Sequence, residues 1–296
     1  VVDYPELKKA VLVELMGRYV KEVLEHRKGW RSDCARMEMF MREPWAQLDC
    51  TADIAAALRA RKKVRLAEVS GQSFNRELGL LVGFFDYAVK EWGLRLPNNP
   101  AKQILRAKES PAARRLVWSN ELLYRMLDHF GFSLDRGPAT PAECVGWVIL
   151  LLRSTGLRLG TLCSIRMADI HLDRKLIRFG ADQVKNSEAW DCPLSDNSIA
   201  LIRRLMGHRQ GETRLLPEFA YSSGRLFREG RDSLAKTEPE VGNLHLHGLR
   251  KTWTTENAGK ITDPKLLLKI TGRKNMKVLI DNYYDPSATE LAEHLN

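Results

Sequence analysis

The chain lacks any run of 18 or more apolar residues. Its longest apolar stretch, Val145–Leu152, falls well short of the ~20 residues a helix needs to cross a bilayer and reads as a core helix. No basic segment followed by an apolar stretch opens the chain, so no secretory leader and no membrane partner are expected. Cysteine is scarce. Cys34, Cys50, Cys144, Cys163 and Cys192 are widely spaced, odd in number and form no CxxC pair. That pattern excludes a disulfide framework and a zinc knuckle. Free thiols fit a reducing compartment, and the expected location is cytoplasmic. Walker A, GxGxxG, HExxH, GxSxG and EF-hand patterns are all missing, and carboxylates do not cluster at metal-ligand spacing. No cofactor and no metal are therefore expected. Internal repeats and low-complexity tracts are absent as well.

What the chain does have is length and positive charge. Its 296 residues suit two domains. A net charge of +10 fits a polyanionic partner, nucleic acid being the usual one, although a basic enzyme without such a partner has the same charge. The charge is uneven. Residues 1–116 hold 22 Lys+Arg against 15 Asp+Glu, so most of the excess is N-terminal, as a clamp on a phosphate backbone requires.

Apolar spacing predicts a helix over 6–26 through Leu7, Val11, Leu15, Tyr19 and Val23. A second is expected over 32–40, a third over 52–65 capped by Thr51, and a fourth over 74–92 capped by Ser73 and ended by Gly93. These make an all-α domain over 1–94. Residues 95–116 mix Pro97, Pro100, Asn98, Asn99 and Pro111 with scattered Arg and Lys, and are expected as an extended basic linker. The second domain, 117–296, is expected to be mainly α. Its helices span 120–130 behind Ser119, 142–154, 160–167, 197–206 behind Ser195, 247–259, 263–271 and 275–284. Alternating residues over 170–194 predict a small antiparallel sheet that includes Val184–Lys185. Residues 207–244 read as loop with short helices. Ser287-Ala-Thr-Glu290 opens a short amphipathic helix whose Leu291 and Leu295 either dock on a neighbouring subunit or fold back.

Four short segments carry reactive side chains in this order: Ser154-Thr-Gly-Leu-Arg158, Gln183-Val-Lys185, His247-Gly-Leu-Arg250, and Thr271-Gly-Arg273 followed by Asp281-Asn-Tyr283-Tyr284-Asp-Pro. Each alone has a structural explanation; together, behind a basic helical domain, they resemble the tyrosine recombinase or phage integrase family. Thr-Gly-Leu-Arg158 is similar to the family's first arginine motif, and His247-Gly-Leu-Arg250 to its His-x-x-Arg motif. Lys185 stands at the hairpin lysine and Tyr283 at the nucleophile. Gly71-Gln-Ser-Phe-Asn-Arg-Glu-Leu78 resembles the core-binding domain.

The resemblance implies a helical core-binding domain and an α+β catalytic domain forming a two-domain clamp on double-stranded DNA. It implies site-specific recombination through a covalent 3′-phosphotyrosine, by a homo-tetramer on paired sites, with accessory DNA-bending proteins as further partners. The residue types suit that chemistry. Arg158 and Arg250 can hold the two non-bridging oxygens of a phosphodiester and stabilise the charge of the transition state, the work a metal does in many phosphoryl-transfer enzymes. Tyr283 would attack phosphorus, Lys185 would protonate the leaving 5′-oxygen, and His247 would accept the tyrosine proton or bind phosphate.

Three positions depart from the family's pattern. Arg273 stands where a His or Trp is usual. The spacing from it to Tyr283 is one residue longer, which leaves Tyr284 as an alternative nucleophile. Thr161 replaces an acidic residue three positions after Arg158. Two other readings stay open: a type IB-like topoisomerase, and a DNA-binding protein that keeps the fold without the catalysis. In the N-terminal domain, Arg31, Lys62, Lys63, Asn75 and Arg76 are the candidate DNA contacts, either to phosphates or to bases.

Overall fold

The computed structural model describes residues 11–27, 29–109, 118–184, 188–258, 260–261, 263–273 and 275–283. The chain divides into two compact units, Val1–Ala112 and Ala113–Asn296.

The first unit is helical. Helix α1 (Leu12–Tyr19) runs on through a π-helical turn at Val20–Leu24, followed by α2 (Trp30–Met41), α3 (Ile54–Glu68) and α4 (Gly71–Glu91). Leu12, Met16, Tyr19, Met37, Phe40, Phe84 and Phe85 fill its core and are essentially inaccessible. Two caps differ from expectation. Asp53, not Thr51, accepts from the Ala56 amide to start α3, and Ser70, not Ser73, accepts from the Ser73 amide to start α4. In both, a second capping residue lies near the expected one, and the local pattern does not choose between them.

Residues 95–109 are not an extended linker. Leu94, Ala101 and Ile104 are buried in the first core. Asn99 caps a 3-10 turn at Pro100–Gln103 and donates to Val82 O at 3.0 Å. The Pro and Asn residues that suggested a linker are turn chemistry on a packed segment.

The second unit surrounds α6 (Pro141–Thr155), which is capped by a Thr140/Glu143 capping box and buried on nearly every side. Around it lie α5 (Asn120–His129), α7 (Leu159–Cys163), α8 (Asp196–His208), α9 (Ser223–Leu234) and α10 (Leu246–Ala258). The last two described helices are α11 (Pro264–Ile270) and α12 (Met276–Tyr283). A three-stranded antiparallel sheet has the order β1 (Ile170–His171), β2 (Leu176–Phe179), β3 (Trp190–Pro193). The fold is thus mainly α with a small antiparallel sheet.

Val184 is not in a strand; it ends a run of turns after β2. Helix α9, at twelve residues, is the longest of the helices within the 207–244 stretch that reads as loop with short helices. Its sequence is polar and contains Gly230, where a Cβ would come within 2.6 Å of the Phe130 ring. That glycine permits close packing and does not end the helix. The expected helix over 288–295 lies outside the described residues, as do residues 6–10 of the first one.

Candidate active site

The site is assembled at the C-terminal ends of two helices. Helix α6 ends at Gly156, which has φ +64 and a Cβ position 2.6 Å from the Trp253 ring. Only glycine satisfies both conditions. Two residues on, Arg158 is half-buried in the extended residue that precedes α7. Helix α11 ends in a Schellman motif. The Gly272 amide donates to Lys269 O at 3.1 Å, the Arg273 amide donates to Leu268 O at 3.0 Å, and Gly272 has φ +58. Arg273 therefore leaves the helix in a direction set by backbone bonds.

His247 and Arg250 are three residues apart on α10 and so share a face. Arg250 is 2% exposed. Its Nη1 donates to Gly156 O at 2.7 Å and its Nη2 to Thr271 O at 2.6 Å. Those carbonyls sit at the negative ends of α6 and α11, where a cation is favoured. Arg250 thus joins the two helix ends. Trp253, one turn along, donates to Ser154 O at 3.0 Å and steadies the α6 end.

Arg158, Thr161, Val184, Trp190, Arg250 and Arg273 all line one cleft of about 570 Å³. His247 is exposed and lines a smaller cavity of about 240 Å³ with Arg228 and His245. Leu157 borders both cavities.

Lys185 and Tyr284 lie outside the described residues; Tyr283 is the last residue of α12, and only its backbone is described. The approach to Lys185 is anchored. Gln183 donates to Ser164 O at 2.9 Å and to Asp169 Oδ2 at 2.6 Å, and accepts from the Gly180 amide at 2.7 Å. Among the described residues, no group of three or more His, Cys, Asp or Glu is arranged to hold a metal ion. A convergence of guanidinium groups in a cleft suits an anion, and a planar fork suits the paired oxygens of phosphate.

In the first unit, Arg31, Lys63 and Arg76 are exposed. Arg76 shares a surface depression of about 320 Å³ with Arg36 and Ser73. Lys62 is partly buried and donates to Leu105 O at 2.6 Å. Asn75 is held differently. It is 5% exposed, its amide donates to Ala107 O and Glu109 Oε1 at 2.9 and 2.8 Å, and its carbonyl accepts from the Ala107 amide. Those three bonds clasp residues 107–109 against α4.

Sequence reasoning did not single out Trp190 or Trp253. Trp253 stands three residues after Arg250, on its helical face, and Trp190 alternates with buried Cys192 on β3; those spacings were the available signals.

The sequence profile of the phage integrase family matches residues 140–290. A Haemophilus influenzae protein named for an inferred integrase/recombinase activity is 26% identical over 291 residues, covering 97% of this chain and 76% of its own. The shufflon-specific DNA recombinase of Escherichia coli is 24% identical over 255 residues, covering 83% of this chain and 61% of its own. The fold is similar to that of the Tn1549 transposon integrase, solved with transposon right end DNA, at a TM-score of 0.67 and 14% identity, covering 97% of this chain and 98% of that one. It is also similar to lambda integrase bound to DNA, at a TM-score of 0.66 and 19% identity, covering 94% and 98%. With a profile that spans just over half of its length and holds Arg158, His247, Arg250 and Tyr283, this chain belongs to the phage integrase family.

Proposed function

We propose that the protein is a site-specific DNA recombinase that cleaves and rejoins DNA through Tyr283. The observation that carries this reading is the shared cleft of Arg158, Arg250 and Arg273, bordered by Val184 next to Lys185 in sequence. In this reading the arginines take the two non-bridging oxygens of the scissile phosphate. The Tyr283 hydroxyl attacks phosphorus and loses its proton to His247. The bond to the 5′-oxygen breaks, Lys185 supplies that oxygen's proton, and the 3′-phosphate stays on the tyrosine. A 5′-hydroxyl from a second strand then reverses the step. The phosphoester bond energy is kept, so no nucleotide cofactor is required. The arginines do the charge stabilisation that a metal would otherwise supply, which makes the reaction metal-independent.

The first unit, with Arg31, Lys63 and Arg76 exposed, grips the DNA backbone. Strand exchange between two duplexes calls for a tetramer on paired sites, with DNA-bending proteins as helpers.

The test is covalent trapping on nicked duplexes drawn from the sequences flanking the gene, read on denaturing gels. A protein–DNA band is expected from the unaltered protein and from Tyr284→Phe, and none from Tyr283→Phe. Loss in Tyr284→Phe alone would move the nucleophile. Tight binding of the same DNA with no band from any variant would overturn the enzymatic reading in favour of a DNA-binding protein. Relaxation of supercoiled DNA that lacks a paired site would indicate topoisomerase activity instead.

A further inference from the structure

Trp190 sits at the edge of the arginine cleft and is not one of the groups assigned above to the reaction. It opens β3 directly opposite Phe179 on β2, and the two rings stack at 5.5 Å with 12° between their planes. The same indole reaches α11. Its Nε1 donates to Lys269 O at 2.8 Å. Its fused-ring atoms Cδ2 and Cε2 lie 3.1 Å from where a Cβ on Gly272 would stand.

Both contacts fall on the Schellman motif that releases Arg273. Lys269 O is the carbonyl that also accepts from the Gly272 amide, and Gly272 is its left-handed residue. The preceding residue, Thr271, gives its carbonyl to Arg250. A single side chain on the sheet therefore braces the short turn from which one arginine departs and on which another is anchored. Helix α11 has only seven residues, with Leu267 its one buried side chain. So short an element contributes little rigidity of its own, and an outside brace has a correspondingly large effect.

We propose that Trp190 is a positioning residue that holds the α11 terminal turn and thereby sets Arg250 and Arg273 against the scissile phosphate. This rests on the recombinase reading above. Trp190→Phe keeps a ring for Phe179 and Gly272 but removes the N–H donor; Trp190→Ala removes both. A displacement of about 1 Å at reacting groups costs on the order of 10²-fold in rate. Adduct formation should accordingly fall roughly tenfold in the Phe variant and about 10²-fold in the Ala variant.

The discriminating measurement is the rate of adduct formation on three nicked duplexes that differ only at the scissile linkage: phosphodiester, methylphosphonate and 5′-bridging phosphorothiolate. A methylphosphonate carries no charge on its non-bridging atoms and depends less on guanidinium groups. The variants should therefore recover to within about threefold of the unaltered protein on it, given that stabilisation of charge is the term removed. A phosphorothiolate leaves without a proton and relieves only a missing general acid, so it should give no recovery. Equal slowing on all three duplexes would reduce Trp190 to a packing residue and overturn the proposal. Recovery on the phosphorothiolate alone would overturn it too, by placing the effect on the protonation of the leaving group. Absence of any adduct with the unaltered protein would instead remove the recombinase reading itself, and this inference with it.

Discussion

Arg61 in the first unit and Arg250 in the second are both buried, and they are satisfied in opposite ways. Arg61 on α3 is 8% exposed and meets carboxylates: Glu43 and Glu77, both at 2.7 Å. Arg65 adds a second bond to Glu77 at 2.8 Å, and the Arg61 guanidinium also lies 4.8 Å over the Phe40 ring. Arg250 on α10 is more buried still, yet its Nη1 and Nη2 meet backbone carbonyls. Carboxylates cancel a charge, whereas carbonyls orient a guanidinium without cancelling it. The first arrangement makes a structural tie between α3, α4 and the segment before α3. The second fixes the direction of a guanidinium at a cleft wall, and a preorganised donor is what phosphate chemistry needs.

The comparison breaks most sharply if Arg250 is replaced. Arg250→Ala should lower adduct formation by about 10³-fold. It should also cost roughly 2–5 kcal/mol of stability, because two buried carbonyls lose their donor. Kinetics and denaturant unfolding of the same variant check both. Arg250→Lys restores charge but not the two-carbonyl fork, and should recover only part of either loss.

Next in size is Glu77→Ala, which leaves Arg61 buried without one of its carboxylates and should cost about 3–5 kcal/mol in denaturant unfolding of the first unit. A concerted Arg61→Met, Arg65→Met and Glu77→Leu replacement should restore most of that loss, whereas no apolar replacement should restore function at Arg250. The pH dependence follows from the same cluster. Burial pushes the Glu77 carboxyl up, but bonds from Arg65 and Arg61 outweigh it and hold the carboxyl below its ordinary 4.5. A lowered carboxylate value contributes stability that is present above 4.5 and is lost as pH falls below it through the folded value. A pH series of unfolding midpoints should show the first unit weakening over that acid range.

A smaller effect separates exposed from cancelled charge within the first unit. Arg76→Ala should reduce the salt dependence of DNA binding by about one phosphate contact, while Arg61→Met in the concerted variant should leave that slope unchanged. The smallest effect concerns Cys192. Burial pushes its thiol up to about 12, with Arg250 pulling the other way. At pH 8 it should resist alkylation in the folded protein and become reactive in Arg250→Ala if the cleft wall opens, a change read by mass spectrometry.

Much of this was legible in the sequence where a local pattern and a tertiary role coincide. Thr-Gly-Leu-Arg158 is a helix C-cap glycine followed by a cleft arginine, and His247-x-x-Arg250 places two side chains on one helical face. Legibility failed where tertiary packing decides. Asn75 carries the same residue type whether it faces DNA or clasps Ala107. The Pro- and Asn-rich 95–109 reads as a linker until Ala101 and Ile104 are seen in the core. Gly230 lies in the polar stretch 207–244 that reads as loop with short helices, yet it sits within α9 and admits the Phe130 ring. Trp190 acts through the α11 end some eighty residues away, at Lys269 O, a relation that no local spacing encodes.

The central claim is that Tyr283 becomes the DNA-linked residue. It is tested most directly by trapping the adduct on a nicked duplex, digesting it with protease and nuclease, and sequencing the nucleotide-bearing peptide by tandem mass spectrometry. The account predicts a 3′-linked nucleotide on Tyr283 of the Asp281-Asn-Tyr283-Tyr284 peptide. A nucleotide on Tyr284, or on any residue outside that peptide, would contradict it.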